Sequence, residues 1–136
     1  MTTTNQQPDP GANAPLKALV VEDNPLVAET IADGLSAIGY APVESVSSVK
    51  SALNAVNDQD VDLAVLETDV RGHSTEPVLD ALDSKDIAHI VASSDGCNPL
   101  PGHAPYLQKP FGFSQLKSAV DQAREQASVR SWDRLH

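Results

Sequence analysis

Five side chains that could do chemistry follow four short apolar runs of the sequence. They are three acids, a hydroxyl and a lysine, namely Glu22, Asp23, Glu67, Ser93 and Lys109. Three carboxylates gathered in one pocket repel one another, so a divalent cation or the lysine must compensate their charge, or one acid must stay protonated. Oxygen ligands suit Mg²⁺, although a direct salt bridge between Lys109 and Glu67 would compete with the ion. These residue types therefore indicate a charged site that holds either Mg²⁺ or an internal ion pair.

Glu67 ends the most informative stretch of the chain. Four consecutive apolar residues, Leu63 to Leu66, lie between Asp62 and Glu67. This pattern predicts a short strand buried on both faces of a parallel sheet. Because ligands of open α/β sheets bind at the carboxyl ends of the strands, we expect Glu67 to project into the site of this protein.

Strand-like and helix-like segments alternate along the chain. The patterns predict strands at 17–21, 41–46, 63–66, 87–92 and 106–108, and helices at 26–38, 49–56, 76–83 and 114–126. Such alternation is typical of an α/β fold in which a doubly wound parallel sheet carries helices on both faces. In that fold the five chemical side chains converge at one edge of the sheet.

One connection is unlike the others. Residues 97–105 contain three prolines and a glycine in nine positions. Proline removes a backbone donor and clashes with the preceding turn, so a regular helix there would be broken repeatedly. We therefore predict that the fourth helix is short or absent between Ser94 and Tyr106.

Length and composition fit one domain with tails. The chain has 136 residues, a formal net charge of −10 and one cysteine. We predict a disordered N-terminal tail at 1–15, a folded domain at 16–126 and a C-terminal tail at 127–136. The acidic charge argues against nucleic-acid binding, since phosphates attract a basic face. The chain has neither an apolar run near the roughly 20 residues of a membrane span nor a secretion signal, so we expect a cytoplasmic protein without membrane contact.

The acids, the hydroxyl and the lysine follow one another along the chain, each at the end of a strand. In this arrangement residues 16–126 resemble the receiver domain of response regulators, the phosphoryl-accepting module of two-component signalling. The matching positions are the acidic metal-binding pair, the hydroxyl residue that contacts the phosphoryl group, the switch aromatic and the lysine turn, here Glu22-Asp23, Ser93, Tyr106 and Lys109-Pro110-Phe111. The resemblance implies a flavodoxin-like (CheY-like) five-stranded sheet of order 2-1-3-4-5. It also implies a histidine kinase, or another signalling protein, as the partner.

Two runs refine the resemblance. Residues 72–78 and 105–111 resemble receivers associated with HWE-type histidine kinases, in which the fourth helix is reduced. The proline-rich connection described above agrees with that subgroup.

The departure from the family pattern lies at its centre. The phosphoacceptor of the family is an aspartate five residues after the strand-opening Asp62 and five before Gly72, and that position is Glu67. Asp69 comes two residues too late, where the family offers a backbone carbonyl to the metal. A glutamate places its carboxylate roughly 1 Å or more from the required point, and near-attack geometry is sensitive to such a displacement.

The extra methylene also carries the Glu67 carboxylate towards Lys109 and Ser93. A charge-assisted contact with Lys109 could then partly imitate a phosphoryl group. We predict that Lys109 contacts Glu67 directly and that Glu22 and Asp23 lie on the other side of Glu67.

We therefore interpret the chain as a stand-alone degenerate receiver, not an enzyme, that acts by phosphorylation-independent protein–protein interaction. One alternative is a phosphorylatable single-domain response regulator that uses Glu67 or Asp69. Another is a small-ligand-binding flavodoxin-like domain, although the chain lacks a Gly-rich phosphate loop. The identity of the kinase and the oligomeric state stay open.

Overall fold

Strands and helices alternate through the part of the chain that the computed structural model describes, residues 16–135. The strands are β1 Leu16–Val21, β2 Tyr40–Val46, β3 Leu63–Leu66, β4 Asp69–Val70, β5 His73–Ser74, β6 Ala88–Ser93 and β7 Tyr106–Gln108. The helices are α1 Pro25–Ile38, α2 Val49–Asp58, α3 Glu76–Ser84 and α4 Phe113–Leu135. The tail predicted at 1–15 lies outside the described residues.

Five strands form one parallel sheet in the order β2-β1-β3-β6-β7. Counted within this sheet alone, that is the predicted order 2-1-3-4-5, and the α/β prediction is confirmed. The other two strands, β4 and β5, form a small antiparallel ribbon that the sequence did not predict. The residues of its turn, Arg71 and Gly72, have positive φ angles of 52° and 81°, as tight hairpins require.

Helices cover both faces of the sheet, and each face has its own core. α1 and α4 pack on one face, where Val20 and Leu35 are buried. α2 and α3 pack on the other face, where Leu19 and Leu82 are buried. Because successive residues of a strand point to opposite faces, a strand between two helical layers must be apolar at every position. β3 meets this condition with four buried residues.

α1 begins at the edge of the sheet that carries the acids. The Asn24 side-chain oxygen accepts hydrogen bonds from the backbone N–H groups of Leu26 and Val27 at 3.0 and 3.3 Å, and Pro25 lies in the first turn. Both features are the start signals that the sequence shows. This cap fixes the turn between β1 and α1, and with it the positions of Glu22 and Asp23.

Residues 94–105 contain neither a helix nor a strand, as the proline spacing predicts. Leu100 is buried and packs with the core beneath α2 and α3. The chain therefore passes from β6 to β7 through an irregular segment held by one apolar anchor.

α4 is longer than the sequence predicts. The prediction of a tail at 127–136 is wrong for residues 127–135, which continue the helix. Ala127 is buried against the core, and Arg130 Nη1 lies 2.6 Å from Oδ1 of Asp83 in α3. These contacts hold the last turns of α4 on the domain. Although α4 has 23 residues, no helix within 16–135 is apolar enough to cross a membrane.

Candidate functional site

The sheet brings the predicted site residues to one edge. β1 and β3 are neighbours in register, with Val21 beside Leu66, and the Glu67 N–H donates to the Val21 carbonyl at 2.9 Å. On the other side of β3, the Lys109 N–H donates to the Ser93 carbonyl at 2.7 Å and so extends the pairing of β6 with β7. Glu22, Glu67, Ser93 and Lys109 therefore follow four adjacent strands.

Lys109 lies between two carboxylates. Its Nζ is 2.7 Å from Glu67 Oε1 and also contacts Glu22 Oε1. The three side chains are largely withdrawn from water, with exposed fractions of 13% for Lys109, 4% for Glu22 and 15% for Glu67. We call this group the Lys109 cluster. The predicted contact between Lys109 and Glu67 is present. Glu22 follows β1, on the opposite side of β3 from Lys109, and its carboxylate shares the same lysine because a buried carboxylate needs a cation.

Hydrogen bonds and charge shift the pKa values of two members of the cluster. Burial raises the pKa of Glu67, but the hydrogen bonds from Lys109 and the Thr68 N–H, with the nearby Ser93 hydroxyl, outweigh burial and hold it below the ordinary value. Burial lowers the pKa of Lys109, but its hydrogen bonds to Glu22 and Glu67 outweigh burial and raise it. Both groups are therefore charged at neutral pH.

Two threonines that the sequence analysis missed fix Glu67 in place. Glu67 Oε2 accepts from the Thr68 N–H at 2.7 Å and from the Thr68 hydroxyl at 3.1 Å. The buried Thr75 donates its hydroxyl to the Glu67 carbonyl at 2.6 Å. Thr75 directly precedes α3, a position where the hydroxyl normally caps the helix, but here it makes no cap bond and holds the end of β3 instead. A threonine before Glu-Pro is an ordinary helix-start signal, so the sequence offers no sign of this role.

Asp23 forms a hydrogen bond outside the Lys109 cluster. Its Oδ2 accepts from the Arg71 N–H at 2.9 Å, and this bond, which outweighs the opposing effect of burial, lowers the pKa of Asp23. The Arg71 guanidinium in turn donates to the Ser47 hydroxyl at 2.9 Å. Asp23 thus ties the β1–α1 turn to the β4–β5 ribbon.

These contacts decide whether the acidic residues fit a Mg²⁺ ion. Within residues 16–135 there is no group of three or more His, Cys, Asp or Glu side chains that could hold a metal. Glu22 and Glu67 share Lys109, and Asp23 binds a backbone N–H. In this arrangement the predicted ligands, Glu22, Asp23 and Glu67, do not fit the ion.

Ser93 and Tyr106 meet at Asp95 in the irregular segment. The Ser93 hydroxyl lies 3.3 Å from the Asp95 N–H and 3.5 Å from the Asp95 Oδ2. The Tyr106 hydroxyl donates to the Asp95 carbonyl. A chain of hydrogen bonds therefore links the residue matched to the phosphoryl contact with the residue matched to the switch aromatic, whose roles stay predictions.

Asp69, the alternative acceptor, belongs to the ribbon. Its Oδ1 accepts from the Gly72 N–H at 3.1 Å and so closes the turn at Arg71-Gly72. The residue serves the turn rather than the Lys109 cluster.

Known proteins supply a second line of evidence. No family model matches the chain. The transcriptional regulatory protein MalR of Bacillus subtilis (strain 168) is 29% identical over 128 residues, which are 88% of this chain and 54% of MalR. The chain thus spans about half the length of the curated relative that it matches.

Solved structures show the same fold. SdrG from Sphingomonas melonis Fr1 is 32% identical, with a TM-score of 0.70 over 80% of this chain and 96% of SdrG. The response regulator protein TrrA from Thermotoga maritima, solved in complex with Mg²⁺-BeF, is 24% identical, with a TM-score of 0.70 over 79% of this chain and 98% of TrrA. Other neighbours are CheY-like or signal receiver domains. The chain therefore has the fold of the CheY-like response regulator receiver domains, the modules of two-component signalling.

Proposed function

We propose that the chain is a degenerate receiver that acts in two-component signalling by protein–protein interaction and is not phosphorylated at the usual position. One observation carries this proposal, the 2.7 Å contact between Lys109 Nζ and Glu67 Oε1. In an intact receiver the lysine meets the transferred phosphoryl group. Here Glu67, the residue in the phosphoacceptor position, already binds Lys109.

The surroundings of Glu67 argue against phosphoryl transfer to it. One carboxylate oxygen binds Lys109, and the other accepts two hydrogen bonds from Thr68. In-line attack requires an oxygen that points at phosphorus, and a small misplacement of a reacting atom is costly. Both oxygens of Glu67 point at protein donors, so the proposal assigns the chain no enzymatic step.

The Lys109 cluster also bears on Mg²⁺. A divalent cation in a receiver site neutralises clustered carboxylates. In this chain Lys109 gives that compensation to Glu22 and Glu67, and a Mg²⁺ ion would have to displace it from both. We therefore propose that the domain keeps its working conformation without a metal ion.

Glu67 imitates a phosphoryl group only in part. One carboxylate brings about one charge and two oxygens, whereas a phosphoryl group brings nearly two charges and three acceptor oxygens. The lysine contact is reproduced, whereas the third acceptor oxygen that a phosphoryl group would offer to the Ser93 hydroxyl is missing. We propose a domain held towards one conformation of the receiver, not a full copy of the activated state.

The proposed partner is a histidine kinase or another signalling protein. Residues 72–78 and 105–111 resemble those of receivers associated with HWE-type histidine kinases, so we propose a kinase of that type as the first candidate. A ligand exploits a conformational equilibrium only through its differential affinity for the two states. A partner that prefers the conformation set by Glu67 should therefore bind the unmodified protein without a phosphoryl donor.

The first test asks whether the protein accepts a phosphoryl group. We expect the native protein, incubated with Mg²⁺ and acetyl phosphate, to show no acid-labile adduct by intact mass. Glu67→Asp restores the family's acceptor and should give a substantial adduct, which Asp69→Asn in the same background should not remove. An adduct on the native protein that maps to Glu67 or Asp69 would sink the proposal in favour of a phosphorylatable regulator.

The second test asks whether Glu67 sets the conformation. Backbone amide shifts of the native protein should lie closer to those of phosphorylated Glu67→Asp than to those of the same variant without donor. Glu67→Gln keeps the length but removes the charge that Lys109 binds, so its shifts should move towards the unphosphorylated form. If all four spectra agree at residues 93–109, Glu67 does not act as a switch mimic.

A further inference from the structure

The irregular segment at 94–105 leaves a cavity beside α4. Its volume is about 630 Å³, and it opens to solvent between the segment and the helix. Pro101 and Ala104 line it from the segment, and Val129 lines it from α4. Sites for small molecules have volumes of about 300–1,000 Å³, mostly apolar walls and a few convergent polar groups. The size and the apolar walls of this cavity fit that description.

A buried histidine at the wall of the cavity supplies one such polar group. His89 lines the cavity, and its side chain is 4% exposed. Its Nδ1 lies 2.8 Å from the Ile87 carbonyl, so in the neutral ring Nδ1 carries the proton and Nε2 is an acceptor. Within residues 16–135 no donor forms a hydrogen bond with Nε2. Because a buried polar atom without a partner is costly, a donor on a ligand would be stabilised there.

The charges of the lining favour a positively charged donor. Asp83 Oδ1 lies 3.5 Å from His89 Nε2, which places a carboxylate beside this acceptor. The charge of Arg130 is offset by Asp83, which it contacts at 2.6 Å, and Glu125 adds a second acid to the lining. With its histidines counted as neutral, the lining therefore has one negative charge in excess. A cation with an N–H donor matches these groups better than an anion does.

We propose that this cavity binds a small organic cation that carries N–H donors on an apolar body. One N–H donates to His89 Nε2, and the positive charge lies near the carboxylates of Asp83 and Glu125. The apolar body packs against Pro101 and Val129. An amidinium or a protonated amine has this chemistry. The inference goes beyond the proposed function, because the cavity shares no lining residue with the Lys109 cluster.

The test uses benzamidine as the probe and follows its binding to the native protein by NMR. We expect saturable shifts of the backbone amides at 100–104 and 125–130, with a dissociation constant on the order of 1 mM, because so small a ligand gains little binding free energy. Nuclear Overhauser effects should join the ring of benzamidine to the Val129 methyl groups. Benzoate keeps the ring but reverses the charge, and acetamidine keeps the charge but lacks the ring. Both should bind at least about tenfold more weakly.

Two variants separate the acceptor from the charge. His89→Phe keeps a flat ring but removes Nε2, so it should weaken benzamidine binding about tenfold or more, as loss of a hydrogen bond to a charged group does. Glu125→Gln keeps the length of an exposed side chain and removes its charge, so it should weaken binding about two- to fivefold. Because Glu125 is exposed, this variant tests the cavity even if His89→Phe does not fold.

Glu29→Gln is the matched control, because it makes the same change at an exposed acid of α1 that does not line the cavity. It should leave the affinity for benzamidine unchanged. The proposal is overturned if the lining residues show no saturable shift, if benzoate or acetamidine binds as tightly as benzamidine, or if Glu29→Gln weakens binding as much as Glu125→Gln. Unchanged affinity in a folded His89→Phe variant would also overturn it, because the buried acceptor would then play no part.

Discussion

The structure contains two clusters of charged side chains that differ in composition and in burial. In the Lys109 cluster one cation lies between two acids, and all three side chains are at most 15% exposed. In a second group, the Asp83 cluster, one acid lies between Arg130 at 2.6 Å and His89 at 3.5 Å, and Asp83 and Arg130 are 43% and 37% exposed. The first is a buried site with one negative charge in excess. The second is a partly exposed ion pair that joins α3 to α4.

The protonation state of His89 determines how the Asp83 cluster differs from the Lys109 cluster. Its Nδ1 lies 2.8 Å from the Ile87 carbonyl, an acceptor only, so Nδ1 must carry the proton. Burial lowers the pKa of His89, and the neighbouring Arg130 lowers it further, against the opposing effects of Ile87 and Asp83. At neutral pH His89 is uncharged and forms no ion pair with Asp83, whereas Arg130 does. The two clusters therefore differ in burial as well as in the charged groups that they contain.

The largest expected effect comes from removing the cation of the Lys109 cluster. Lys109→Met leaves two nearly buried carboxylates without a compensating cation, and breaking a buried pair in this way costs about 3–5 kcal/mol. We expect a loss of that order in the free energy of unfolding, measured with urea at pH 7.

Lys117→Met is the control for that experiment. Lys117 pairs with Asp121 at 3.6 Å, and both side chains are more than half exposed, at 56% and 64%. Such a surface pair contributes little, so the control should change stability by no more than about 0.5 kcal/mol. If both variants lose the same small amount, the Lys109 cluster is not the buried charge site that its geometry indicates.

A smaller effect should appear in the pH dependence of stability. The pKa of Glu67 is lowered from 4.5 in the fold, so its contribution is complete above 4.5 and is lost as pH falls through the lowered value. The pKa of Lys109 is raised from 10.5, so its contribution is complete below 10.5 and is lost as pH rises through the raised value. The stability difference between native protein and Glu67→Gln should therefore be constant from pH 5 to 8 and shrink in acid. A difference that stays constant down to pH 2 would contradict the lowered pKa of Glu67.

The sequence predicted the Lys109 cluster far better than the Asp83 cluster. Strand ends of a parallel sheet converge by topology, so the meeting of Glu67 with Lys109 follows from two short apolar runs. That Glu22 shares the lysine depends on the shape of a single turn, and the hydroxyl contact of Thr75 depends on a rotamer. Neither leaves a pattern in the sequence.

The extension of α4 could not be predicted for a different reason. Residues 128–135 are mostly polar and lack the apolar repeat that marks a core-facing helix. Their helix is stabilised by the contact of Arg130 with Asp83, 47 residues away in the chain. A long-range contact of this kind leaves no local pattern, so single-sequence reasoning has no access to it.

The smallest expected effect concerns that ion pair. Asp83 and Arg130 are both more than a third exposed, so Arg130→Ala should cost no more than about 1 kcal/mol of stability. The effect of Arg130→Ala should be clearer in the pKa of His89, which should rise because a neighbouring positive charge is removed. Asp83→Asn should instead lower the pKa of His89, because it removes a neighbouring negative charge. Since a buried neutral histidine must charge in acid, the native fold loses stability as pH falls below 6.5, and Arg130→Ala should reduce that loss.

The pKa of His89 can be followed by the imidazole resonances in NMR spectra. The backbone amide resonances of the β4–β5 ribbon serve as the internal control and should stay the same in every variant. Shifts of the His89 pKa in opposite directions in the Arg130 and Asp83 variants would establish that the two residues act on the histidine through their charges. Shifts of the same sign would mean instead that both substitutions simply loosen the end of α4 and let water reach the ring.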